Sequence, residues 1–136
     1  MPGSDPTHWL HRLTPAEWLS AAATELAHAE TASRQRANRA VVAHARRAAG
    51  MAWNAVLVDH PDERAGRSYM EHLHLLAREA PAELREAAAV LCESPGGRPA
   101  LITLKPPGEQ PERELLRATR VIIDYAARTI GPPVIQ

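Results

Sequence analysis

Residues 41–58 read VVAHARRAAGMAWNAVLV. Val41, Ala45, Ala48, Ala52, Ala55 and Val56 recur at the spacing of one helix face, with the arginines largely off it. Trp53 and Leu57 add a second apolar edge. A stripe made mostly of alanine buries little area unless the neighbouring backbone comes close, so this segment predicts helix against helix. Gly50 fits that reading. Mid-helix glycine costs about 1 kcal/mol relative to alanine, and the missing side chain allows a close helix crossing.

The whole composition points the same way. Among 136 residues, 45% are hydrophobic but only 4% aromatic, with no Phe. The core must therefore come from Ala, Leu, Val and Ile, whereas a β-sandwich would draw on β-branched and aromatic residues. The length suits one domain with a substantial core. A lone Cys92 excludes an internal disulfide and a cysteine-based zinc site, and fits a reducing compartment. No apolar run reaches membrane-span length and no signal pattern opens the chain, so the expectation is a cytoplasmic protein without a membrane partner.

Helix punctuation divides the chain. Thr14-Pro15-Ala16-Glu17 is a capping box with proline at the first helical position, and Leu13 and Trp18 stand where a hydrophobic staple closes. This predicts a first helix to about Ser33, after a loose lead-in over 1–12. A second helix follows over about 35–58, then a polar connector, DHPDERAG (59–66). Ser68-Tyr69-Met70-Glu71 is another capping box and starts a third helix to about Glu79, with Tyr69, Leu73, Leu76 and Ala80 inward. Pro81 opens a fourth, Ala82 to Cys92, carrying Leu84, Ala87, Ala88 and Leu91. SPGGRP (94–99) and KPPGEQP (105–111) flank a short apolar run, Leu101–Leu104, that reads as a strand-like arm or a packed loop. The last helix covers about 112–130 and Gly131-Pro132-Pro133 stops it, leaving 131–136 as a tail. The expected architecture is all-α: a four- to five-helix up-and-down bundle with a long Pro/Gly-rich loop before its last helix.

The formal net charge is zero, which gives no global electrostatic case for nucleic acid. The charge is unevenly spread, however. No Asp or Glu lies between Thr31 and Val58, and Arg36, Arg39, Arg46 and Arg47 fall there as candidates for phosphate or nucleic-acid contact.

Two R-x-x-x-x-H matches occur, Arg39…His44 and Arg67…His72. Residues five apart within one helix are turned by about 140° from each other, which separates Arg39 from His44. His44 is instead expected to be a partly buried histidine with a hydrogen-bond partner. Arg67 and His72 straddle the Ser68 cap, at the two positions that meet in a hydrophobic staple. There an imidazole can serve as general acid or base while a guanidinium steadies a phosphate, without metal. They are the candidate catalytic residues.

E-x-x-H occurs at Glu25…His28 and Glu71…His74. A di-iron bundle needs single glutamates from two further helices, and the second helix has none. Glu71 is also claimed by the cap. A metal-binding bundle using His28, His44, His72 or His74 is a weaker reading. The site assignment therefore contains no metal, and no cofactor is expected.

With the helices placed, the chain resembles a HEPN domain, the small helical domain of prokaryotic toxin, defence and nucleotidyltransferase-partner proteins. The resemblance runs from about Glu17 to Ile130 and rests on EWLSAAATEL (17–26), ARRAAGMAWNAVL (45–57), SYMEHLHLLAREAPAELREAAAVL (68–91) and LLRATRVIIDYAARTI (115–130). It implies a bacterial homodimer in an RNA- or nucleotide-related setting, with a nucleotidyltransferase partner or a toxin–antitoxin role, and RNA as a further partner. Catalytic members of the wider family use an R-x4–6-H motif as a ribonuclease site, which implies that role for Arg67 and His72. The family usually follows the arginine with Asn, Asp or His, whereas Ser68 stands here. A non-catalytic helical interaction module or scaffold is the alternative.

Overall fold

The computed structural model of the protein describes residues 8–93 and 111–130. The connectors at 94–110 and the tail at 131–136, including the Leu101–Leu104 run, lie outside the described residues. Among the described residues five α-helices, α1 (Pro15–Arg34), α2 (Asn38–Asp59), α3 (Tyr69–Glu79), α4 (Ala82–Glu93) and α5 (Pro111–Ile130), form an all-α bundle. Among the described residues no strand occurs, and no helix is long and apolar enough to cross a membrane.

Helix α2 is the central element, packed on α1, α3 and α5. Every residue of its expected stripe is buried, from Val41 to Val56. Leu73, Leu76, Leu84, Ala88, Leu91, Leu116 and Ile122 close around it in one continuous core. Gly50 sits where α2 meets the start of α3: a Cβ added there would overlap the Cβ, Cγ and Cδ1 of Tyr69. Ion pairs tie the outer faces, with Arg120 on Glu30 at 2.6 Å joining α5 to α1.

Both capping boxes form. Thr14 Oγ1 accepts from the Glu17 N–H at 3.1 Å, and the Glu17 carboxylate accepts from the Thr14 N–H at 2.9 Å. Of the lead-in expected to be loose over 1–12, residues 1–7 lie outside the described residues, and the remainder departs from that expectation. His8–Arg12 is a short 3-10 turn, and Trp18 explains it: its indole Nε1 donates to the Leu10 carbonyl at 2.8 Å. That bond and the burial of Leu10 with Leu57, Ala65 and Leu75 pin the segment to the bundle. A second 3-10 turn, Glu63–Ala65, interrupts the polar connector.

The α1–α2 junction ends in a Schellman motif. The Arg36 N–H donates to Ser33 O and the Ala37 N–H donates to Ala32 O. Arg36 holds the left-handed position with φ 58°, where glycine is the usual occupant. A non-glycine residue there carries a cost on the order of 1 kcal/mol. Arg36→Gly is therefore expected to raise stability by roughly 0.5–1 kcal/mol, read as a higher urea midpoint at unchanged m-value. A lower midpoint would show that the arginine side chain contributes more than its backbone costs.

Candidate functional site

Helix α3 begins as its sequence dictates. Ser68 Oγ accepts from the Glu71 N–H at 3.0 Å, and the Glu71 carboxylate accepts from the Ser68 N–H at 3.2 Å. Those bonds hold the Glu71 carboxyl below its usual range. Upstream, Gly66 turns the chain at φ 69°, with the Glu71 carboxylate packed where a Cβ would stand.

From this start, the two candidate catalytic residues part. Arg67 is exposed, while His72 is fully buried at 0% exposure. Its ring stacks on Trp9 at 6.1 Å and meets Tyr69 edge-on at 6.4 Å. Nδ1 donates to the Ala65 carbonyl at 2.7 Å, and Nε2 lies 2.7 Å from the Asn54 side-chain amide. Burial pushes the imidazole below its ordinary pKa, with the Ala65 bond and Glu71 opposing more weakly, so the neutral ring is favoured.

The tautomer follows. A carbonyl takes only a donor, so the single N–H of the neutral ring is on Nδ1 and Nε2 is an acceptor. With its oxygen toward Nε2, the Asn54 amide would leave Nδ2 buried without a partner. Turned over, Nδ2 donates to Nε2, and the buried group left over is a carbonyl, which tolerates this better than an N–H does. Ala65, His72 and Asn54 thus form a polar relay that binds the connector and α3 to α2. Both ring nitrogens are committed to protein groups, which leaves neither facing solvent to exchange a proton with a substrate.

Arg67 lines an open cleft of about 360 Å³ with Trp9, Arg12, Trp18, Asn54, Ser68 and Tyr69. Two guanidinium-bearing residues, three aromatic ones and no carboxylate line it among the described residues. A neighbouring cleft of about 210 Å³ also touches Arg67 but carries Asp62 and Glu63. Burial raises the Tyr69 phenol above its usual pKa, so it stays protonated at neutral pH.

The four arginines read as a phosphate-binding group have separate settings. Arg36 and Arg39 are exposed at the α1–α2 turn and the first turn of α2. Arg46 donates through Nε to the Leu91 carbonyl on α4 at 2.9 Å, and Arg47 pairs with Glu25 on α1 at 3.2 Å. The last two serve helix packing from different sides of α2.

His44 is partly buried beside the stripe with a partner, as its position suggests: Nδ1 lies 2.7 Å from Glu25 Oε1. The other Glu25 oxygen is 3.8 Å from His28 Nδ1, and the two imidazoles meet edge-on at 5.2 Å. Burial works to raise the Glu25 carboxyl, but the His44 bond and the Arg47 charge outweigh it and hold it below its usual range. His74 is exposed on α3.

Sequence reasoning missed Asn54, Trp9 and Arg12. Asn54 carried a signal, as the sole carboxamide in an alanine-rich stretch, although nothing linked it to His72. Comparison of the chain with protein-family models, curated proteins and solved structures finds no match.

Proposed function

We propose that this protein is a non-catalytic helical binding module, HEPN-like in form, that holds a nucleotide or a single-stranded RNA end at the cleft around Arg67. One observation carries the choice of binding over cutting: both nitrogens of the fully buried His72 are spent on Ala65 and Asn54. Arg67 remains on the surface, beside Arg12, in a cleft free of carboxylates among its described residues. Guanidinium groups recognise phosphate through paired donors, and aromatic faces stack bases with little regard to sequence. Trp9 and Tyr69, each half-buried, supply such faces. A ribonuclease paired with a nucleotidyltransferase would require His72 to leave both partners.

The test is a titration of tryptophan fluorescence with nucleoside monophosphates and short RNA oligomers, with the RNA afterwards run on a denaturing gel. Saturable quenching is expected, lost when Arg12 and Arg67 are both changed to Glu, with the RNA intact. Cleavage that disappears in His72→Ala while the fold persists would restore the ribonuclease reading. Absence of any quenching would turn the module toward protein partners.

A further inference from the structure

We infer that Glu25, His28 and His44 form a binding site for a divalent transition-metal ion, with zinc as its reference occupant. The three side chains come from two helices and each offers one ligand atom, all within 4.8 Å of one another. Glu25 and His28 stand three apart on α1, which places both on one face of that helix. His44 reaches the same point from α2, across the turn at Arg36. Two imidazoles and a carboxylate are borderline donors that suit zinc and its neighbours over magnesium or calcium, which take oxygen-only shells.

The geometry needs little adjustment. Ligands on a tetrahedral zinc, each about 2.0–2.1 Å from the metal, stand about 3.3 Å apart. Here His44 Nδ1 lies 2.7 Å from one Glu25 oxygen and His28 Nδ1 lies 3.8 Å from the other, one on each side of that value, so a small rotation of the carboxylate brings a single oxygen between the two rings. His28 is 54% exposed and His44 28%, so an ion reaches the site from solvent and His28 turns without disturbing the core. Three protein ligands leave a coordination position for water or a second ligand. Arg47 is the opposing element. Its guanidinium, 3.2 Å from Glu25 Oε1, competes for the same carboxylate, so metal binding requires it to share Glu25 through one oxygen or release it.

That competition makes the inference distinctive in test. Untagged, chelator-stripped protein is titrated with Zn²⁺ at pH 7.5 against a chromophoric chelator. One ion per chain is expected, at micromolar or tighter affinity. His28→Ala, His44→Ala and Glu25→Gln are each expected to weaken it by about tenfold or more, with helix content preserved by circular dichroism. His74→Ala, on the exposed face of α3, is expected to change nothing. Arg47→Gln is expected to tighten binding, an effect that a purely structural Glu25–His44 pair would not produce. Millimolar affinity, equal loss in His74→Ala, or indifference to both His28→Ala and His44→Ala would overturn the inference. The site shares no residue with the Arg67 cleft, so its failure and that of nucleotide binding are read separately.

Discussion

His72→Ala is expected to cost about 3–5 kcal/mol of folding stability, measured as a fall in urea midpoint. Deleting the ring opens a cavity between Trp9, Tyr69 and α2, and it strands the Ala65 carbonyl and the Asn54 amide. Each orphaned buried group adds about 1–3 kcal/mol. Set against a total of about 5–15 kcal/mol for a domain, this is enough to unfold much of the protein on mild warming. Arg67→Ala, at an exposed position, is expected to change stability by under about 0.5 kcal/mol. A catalytic pair would behave differently, both variants keeping the fold and losing activity. The wild-type protein should also show the cost in pH. His72 has a folded pKa below its unfolded value of about 6.5. Its contribution is therefore intact above that unfolded value, where the ring is neutral in both states. As pH falls below about 6.5 the unfolded chain takes up a proton that the folded ring resists, and stability declines until the folded pKa is passed. His72→Gln should flatten that slope. A His72→Ala loss below 1 kcal/mol, or an unchanged slope in His72→Gln, would mean the relay does not hold the connector in place.

The helices were legible because their signals are local. Ser68 and Glu71, or Thr14 and Glu17, announce a start within four residues, and the Val41–Val56 stripe exposes its own face by period alone. The missed features depend on residues far apart in the chain. Nothing near Trp18 says that its indole will reach the Leu10 carbonyl, so the opening segment reads as loose. Arg36 hides a Schellman turn because the glycine that normally marks it is absent. His72 shows the limit most clearly. The same cap that places Arg67 and His72 in register for chemistry also decides which of them turns inward. That outcome depends on Asn54, eighteen residues away on α2, and on the Ala65 carbonyl. A spacing motif has no access to either. The Glu25–His28 pair was legible as E-x-x-H and His44 was one of four candidate histidines, but only the packing of α1 on α2 selects His44, rather than His72 or His74, as the third member.

Gly50→Ala is expected to destabilise the protein by about 1–3 kcal/mol, although alanine is about 1 kcal/mol better than glycine inside a helix. The two effects oppose each other, and geometry decides between them. The added methyl would overlap Tyr69 at its Cβ and Cγ as well as its ring edge. A flexible side-chain tip could swing aside, but a Cβ moves only with its backbone. Tyr69 is the first residue of α3, so relief requires shifting the helix start that carries the Ser68 cap and the His72 relay. Gly50→Leu should be worse, and both should also loosen the cleft that Tyr69 lines. A double-mutant cycle isolates the cause. Tyr69→Ala removes the ring but keeps the Cβ, so it should recover only part of the Gly50→Ala loss. Tyr69→Gly should cancel the steric component, visible as a large coupling energy even after its own destabilisation is subtracted. A neutral or stabilising Gly50→Ala, or full recovery with Tyr69→Ala, would show that α2 and α3 cross with room to spare. Under the close crossing, glycine at position 50 is the condition for α3 to start against α2, and so for Arg67 and His72 to take their separate places.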